Sequence, residues 1–385
     1  MKKYFYYFSV FLISLNSCKN NDLQIKENYF QDNYKTKYDN LNIRIDTIVL
    51  DKVESSYLGD IAYWDNRVYF IDFRFGWVFG FDLEGNYLET KLGQGRGPNE
   101  IDIAGIDGFY FSENGNKYFF GSTNDIHIYD KNWEKIQKTS MNWGGSVQIG
   151  KGYTVKEVNP KDPSLYSLDY EHLKIKGDEG NLYLPIYSEH PEFNGLVSKN
   201  YYKEGRILAQ LNLEDYSIER IFGRRTDLLM DYKYLMHHSA FSFDLNEHGK
   251  LIVANEIDPT IYIYDKDFNL LESFGVSGKE MDVNYQELKG LDIKRFQYLY
   301  FEDRPKRGFY TGVKSDITKN IIFRTYNKNN GSYDGLQIYE NGQLLDDIQV
   351  PKGLKIEYTS FPYYYSGPII DELNETITIY KLTFK

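Results

Sequence analysis

The chain has 385 residues, 41% hydrophobic and 17% aromatic, with a formal net charge of -11 at pH 7. Only 10 Pro stand against 37 Tyr and 25 Phe, which excludes a disordered or linker-dominated polymer. The acidic balance and the lack of any dense Lys/Arg run exclude a phosphate-reading nucleic-acid binder, which needs a cationic face.

Met1-Lys2-Lys3 is a short basic start, followed by an apolar stretch from Tyr4 to Leu15. That stretch is too short to cross a bilayer as a helix, which takes about 20 residues, and it has the form of a cleavable leader. Its end, Leu15-Asn16-Ser17-Cys18, resembles a lipobox, with Asn16 where that pattern has a small residue. The resemblance implies lipid on Cys18, and Lys19 after it points to the outer membrane by the sorting rules of such lipoproteins. Cys18 is the only cysteine, so no disulfide can form within the chain. Attachment is expected through the N-terminal lipid alone. The expected organisation is a leader over 1–18, a polar tether over 19–40 and one domain over 41–385.

From Leu41 the chain repeats. A unit is a short strand, a tight polar turn, a second strand, a third ending in an aromatic residue and an acid, another tight turn, and a fourth strand. The first copy runs through Gly59–Tyr63, Arg67–Asp72, Trp77–Asp82 and Tyr87–Leu92; the second through Gly108–Phe111, Lys117–Phe120, Asp125–Asp130 and Lys135–Lys138. A degenerate third joins Asn181–Leu184 to Arg206–Leu211. The fourth has Ala240–Asp244, Lys250–Ala254, Thr260–Asp265 and Leu270–Phe274; the fifth has Gly308–Thr311, Asn320–Arg324, Leu336–Glu340 and Leu344–Ile348. Alternation such as Ile261/Ile263 against Tyr262/Tyr264 is the period of a strand with two faces. Gly, Asn and Asp at the turns supply hairpin backbone conformations.

Four-stranded units repeated around an axis are propeller blades. The fold class expected is all-β: a six-bladed β-propeller of four-stranded antiparallel blades near 57–97, 101–141, 145–223, 238–276 and 295–350, plus a sixth. The C-terminus supplies two strands of that sixth blade, Pro362–Tyr365 and Thr376–Phe384. The N-terminal run Ile43–Leu50 completes it and removes an exposed edge. Splitting the long third unit gives a seven-bladed alternative.

Phe81-Asp82, Gly85-Asn86 and then Leu92-Gly93-Gln94-Gly95-Arg96-Gly97-Pro98-Asn99-Glu100 resemble the first-blade signature of six-bladed, NHL-like propeller lipoproteins of bacteria. The resemblance covers residues 41–385. It implies the fold and an envelope location, and it carries no catalytic set.

In a propeller the connections between second and third strands, and those between blades, emerge on one face. Here these are the long ones: 187–205, 223–240, 274–296, 325–335 and 350–362. Long loops on a rigid scaffold concentrate binding residues. That face is expected to hold Arg74, Trp77, Arg96, Asn99, Glu100, Trp143, His190, Arg224, Arg225, His237, His238 and Asp258 as ligand-binding candidates. Rings cover apolar faces of a ligand, and the polar groups fix hydroxyls or carboxylates.

Gly93-x-Gly95-x-Gly97 opens onto Pro98 rather than a helix, so it is no dinucleotide loop. His237-His238, read as adjacent strand residues, point to opposite faces and form no metal pair. Asp265-x-Asp267-x-Asn269 begins like a calcium loop but lacks its Gly and distal Glu. No cofactor and no metal is expected. The function expected is a monomeric, membrane-anchored binding module for a glycan, peptide or envelope protein. The alternative is a carbohydrate-active hydrolase or lyase at the channel mouth, favoured if His237 or His238 meets Glu100 or Asp258 in one pocket.

Overall fold

The computed structural model describes residues 41–384 except 103–104, 122–123, 145–157 and 330. Cys18, the expected leader and the tether through residue 40 lie outside the described residues.

Six separate antiparallel sheets form the structure, in a ring. Blade one is Gly59–Trp64, Arg67–Asp72, Trp77–Phe81 and Tyr87–Leu92, from the axis outward. Blades two, four and five repeat this order. The third unit is one blade, so the ring has six members. Its innermost strand is broken into Ser167–Leu168 and Lys176–Gly177, both paired to Asn181–Tyr187. Its long insertion carries a helical turn, Lys199–Glu204, which buries Tyr201 and Tyr202.

The last blade is closed by both ends of the domain. Ile43–Val49 lies outermost, antiparallel to Thr376–Phe384, with Ile43 opposite Phe384 and Val49 opposite Thr378. The C-terminal part supplies more than the two strands expected. Ile356–Ser360 is the innermost strand, and the short Ile369–Asp371 pairs with Thr376–Phe384. Ile356–Ser360 carries one fully buried residue, Ile356, so its apolar signal is weak.

The core explains why alternation produces a ring. Successive side chains on a strand point to opposite faces. Val68 and Phe70 pack with Ile377 and Ile379 of blade six, while Tyr69 and Ile71 pack with Phe119 and Tyr129 of blade two. Every blade therefore has two apolar faces, and only a closed circle covers both on all six. The other four seams are built alike, for instance Leu251 and Val253 against Tyr183 and Leu208 between blades three and four. Burying each such side chain stabilises the fold by about 1.5–3 kcal/mol.

In blades one, two and four the acid that ends the third strand caps the following turn. Asp82 Oδ1 accepts from the backbone N–H groups of Glu84 and Asn86 at 3.0 and 2.8 Å. Asp130 does the same with Asn132 and Glu134, both at 2.8 Å, and Asp265 with Asp267 and Asn269 at 2.9 and 2.8 Å. The supposed calcium start is thus a local turn. The turn needs one residue at positive φ, taken by Gly85 at 96° but by Trp133 at 70° and Phe268 at 63° in the other two.

Candidate functional site

The innermost strands of six blades surround a central channel. At its long-loop end lies a cavity of about 220 Å³ lined by Asp60, Asp107, Glu171, Lys174, Lys176, Lys355 and Glu357, with Phe73, Tyr170 and Phe241 among its rings. Asp107 and Lys355 stand just before the innermost strands of blades two and six. The channel is charged because the inward positions of strands facing an axis of solvent need not be apolar.

Most of these charges neutralise one another. Lys174 bridges Asp60 and Glu357, the latter at 3.1 Å. Lys176 lies 3.9 Å from Glu357 and 3.5 Å from Asp244, which also takes Lys314 at 3.1 Å and the Ser315 N–H and hydroxyl at 2.9 and 2.8 Å. Burial pushes the Asp244 carboxyl up, but Lys314, Lys176 and Ser315 outweigh it and hold it down at about 2. Burial likewise opposes ionisation of Glu357, and Lys174 and Lys176 pull it down to about 2. Asp107 departs from this pattern: burial raises its pKa, and its Oδ2 has no hydrogen-bond partner. Lys355 departs as well. Burial lowers its pKa, Lys174 lowers it further, and Glu357 and Asp60 act against them. Its side chain is exposed to the channel.

Beside the mouth sits a second cluster, made by the loops around blade four. His237 and His238 occupy one 3-10 turn, Met236–His238, and not a strand, so their rings lie side by side with centroids 5.0 Å apart. The strand-based reason for discounting them as a pair is therefore corrected: both rings enter one buried region. His238 Nδ1 is 3.7 Å from Glu256, beyond hydrogen-bond reach, and its ring packs on Tyr285 at 4.6 Å. Arg304 forms the ion pair with Glu256 and lies 4.1 Å over the Phe309 ring. Burial drives the His237 pKa down to about 3 and that of His238 down as well. Both rings are thus neutral at pH 7. Arg304 is the first of the groups that overcome burial and hold Glu256 at about 2. Tyr300 donates its hydroxyl to Glu171, tying the loop before blade five to blade three across the mouth. Among the described residues no group of three His, Cys, Asp or Glu could hold a metal ion.

The residues singled out by sequence are not gathered in one place. Arg74, Arg96, Asn99 and Arg224 are exposed; Arg96 pairs with Asp102 at 3.7 Å and Arg224 with Glu204 at 3.3 Å. Glu100 caps its own loop by accepting from Gly97 N–H. Trp77 is half-buried against Phe75 and Phe79, and Trp143 donates to Asn124 Oδ1 at 3.2 Å. His190 is buried, and its Nδ1 accepts from Glu192 N–H at 3.2 Å. Arg225 is buried and donates to Ser239 O and the Tyr201 hydroxyl. Asp258 is buried and takes the hydroxyls of Thr226 and Tyr262 at 2.5 and 2.8 Å. His237 and His238 share a cluster, and the acid nearest His238 is Glu256, not Glu100 or Asp258. The channel set of Asp60, Asp107, Lys174, Lys355 and Glu357 was missed. Its one sequence signal is a polar residue recurring at or just before each innermost strand.

Fold and channel together define a six-bladed β-propeller with a charged central pocket. No family model and no curated protein matches the chain. Among solved structures it is similar to a member of the DUF4221 family from Bacteroides vulgatus, with a TM-score of 0.62 at 10% identity over 89% of this chain and 99% of that one. It is also similar to a Bacteroides fragilis protein provisionally described as exported, with a TM-score of 0.51 at 11% identity over 91% and 98% of the two chains. At these identities the likeness shows the shared fold.

Proposed function

We propose that the chain is an exported, lipid-anchored binding propeller that takes its glycan, peptide or protein ligand at the long-loop mouth of the central channel. One observation carries this reading: a cavity at the axis is lined from all six blades and holds charged groups that burial displaces from their ordinary pKa values. Perturbed groups converging in the central pocket are the usual mark of a binding site. The leader ending at Cys18 supports export and anchoring, and a protein of similar fold is itself provisionally described as exported. Among the described residues no helix is long and apolar enough to cross a membrane.

Screening the full-length chain on glycan and peptide arrays, beside Ser242→Trp, tests the site. Ser242 lines the cavity, and an indole there fills it. Ligand binding lost in Ser242→Trp supports the channel; a ligand bound equally well by both rejects it. For the anchor, Cys18→Ala is expected to leave the membrane fraction, and unchanged membrane association rejects acylation.

A further inference from the structure

Six charged side chains form one row along the channel. Asp60 pairs with Lys174, Lys174 with Glu357 at 3.1 Å, Glu357 with Lys176 at 3.9 Å, Lys176 with Asp244 at 3.5 Å, and Asp244 with Lys314 at 3.1 Å. Acid and base alternate at every step, and the acids balance the lysines. The row draws on five blades. Asp60 comes from blade one, Lys174 and Lys176 from blade three, Glu357 from blade six, Asp244 from blade four and Lys314 from blade five. Asp244 is buried, and the other members keep part of their side chains exposed where they line the channel cavities. Lys355, exposed to the same space, stands outside the row, as do Asp107 and Glu171, the latter holding the Tyr300 hydroxyl.

A ligand ion is drawn by an uncompensated charge, and along this row each charge is compensated by its neighbour. Hydrogen-bonding capacity survives the pairing. An ammonium has more donors, and a carboxylate more acceptor sites, than one ion pair uses. The wall therefore offers donors and acceptors in alternation with no net charge. A hydroxyl both donates and accepts, so a ring of hydroxyls matches that alternation, whereas a wholly apolar ligand would strand polar groups without partners. A volume of about 220 Å³ lies below the roughly 300 Å³ at which drug-sized pockets begin, so one ring fits and several peptide residues do not. Ser242 and Thr311 add hydroxyls to the lining, and Phe73, Tyr170 and Phe241 add rings suited to the C–H face of a sugar.

We propose that the central channel takes one uncharged pyranose ring of a glycan, with its hydroxyls hydrogen-bonded between the alternating ammonium and carboxylate groups of this row. This rests on the channel being the ligand site. A charge on the sugar would meet ions that are already paired, so the charged counterpart of the ring is expected to bind about tenfold less tightly or worse.

Titration calorimetry of the full-length chain at pH 7 compares glucose, glucosamine and glucuronic acid, and the same three forms of galactose. The expected result is that a neutral hexose binds at least about tenfold more tightly than its amino and acid counterparts. Lys174→Gln takes the cation from Asp60 and leaves Glu357 only the more distant Lys176. The amino sugar is then expected to gain at least about tenfold on the neutral one. Glu357→Gln removes an acid from both Lys174 and Lys176, and the shift is expected toward the acid sugar. These opposite shifts keep the test open should one variant fail to fold. The proposal falls if neither neutral hexose binds, if a charged counterpart binds as tightly, or if neither variant moves the preference in its stated direction. Ser242→Trp separates this from failure of the channel itself. Neutral-sugar binding that survives in that variant rejects the channel, whereas binding lost there together with a preference for a charged sugar leaves the channel standing and removes only the uncharged ring.

Discussion

The seams between blades and the channel at the axis both hold cations, and the two regions treat them differently. In the seam of blades one and two, Lys117 is fully buried, with its Nζ 4.2 Å from the Trp64 ring centre and 4.6 Å from that of Trp133. It donates to the carbonyls of Gly115 and Asp130 at 2.8 and 3.1 Å. In the seam of blades four and five, Arg324 is fully buried over Tyr310 at 3.9 Å and donates to Pro259 O, Val276 O, Gln337 Oε1 and the Tyr339 hydroxyl. Lys355 in the channel has no such set. A buried cation saturated by carbonyls and rings is a structural joint, whereas Lys355 is exposed to the channel and open to solvent there. Residue type alone does not separate the two; the count of satisfied donors does.

The largest effect that sharpens this contrast is expected at Arg324. Arg324→Met removes a guanidinium that links two blades, takes its bond from Pro259 O and leaves Val276 O and Gln337 Oε1 with fewer donors, a loss of about 3–5 kcal/mol. Urea unfolding measures it, and a loss below about 1 kcal/mol would show that the seam does not depend on its cation. Lys117→Met is expected to cost less, about 1–3 kcal/mol, because methionine refills much of the aromatic cage while two carbonyls lose their donor.

Much of the wheel was legible because its signals are local. Alternation in Ile126/Ile128, the acid closing each third strand and the N-terminal strand of Ile43–Val49 each follow from one short segment. The channel was not legible, since Asp60, Asp107, Lys174 and Lys355 come from four distant segments, and nothing in any one of them says which face meets the axis. The candidates read from long loops fared unevenly for a related reason. Asp258 and Arg225 look like surface polar residues in sequence, yet their loops fold inward and satisfy them on Thr226, Tyr262, Tyr201 and Ser239. Loop length located the face but not the direction of its side chains.

Acid titration probes the buried neutral rings that neither region pairs. His237 is held down to about 3 by burial, with His238 adding to it, and His127 to about 4 by burial, with Lys135 and Lys138 adding to it. Both nitrogens of each ring lack partners. The unfolded chain protonates these rings near pH 6.5 and the folded chain does not until about 4 or 3. Unfolding therefore takes up protons in that window, and stability falls as pH drops through it. The expected loss is about 1.4 kcal/mol per pH unit for each ring from pH 6 to pH 4. His127→Leu should flatten its share of the slope, and an unchanged slope would show that ring to be hydrated in the folded chain.

The smallest stability effect is expected at Lys355 in the channel. Burial and Lys174 lower the Lys355 pKa in the folded chain, and Glu357 and Asp60 act against them. Its contribution to folding is thus unfavourable below its folded pKa, and the penalty is relieved as pH rises toward the value of a free lysine. Removing the charge in Lys355→Gln breaks no ion pair and no hydrogen bond within the described residues. Stability is expected to stay within about 0.5 kcal/mol of the parent, or to rise slightly. Arg324→Met and Lys355→Gln, unfolded side by side in urea, therefore test the contrast between seam and axis directly. A large loss in Lys355→Gln would make that ammonium another structural joint and erase the distinction, whereas an unchanged midpoint leaves a charge that the fold bears without using.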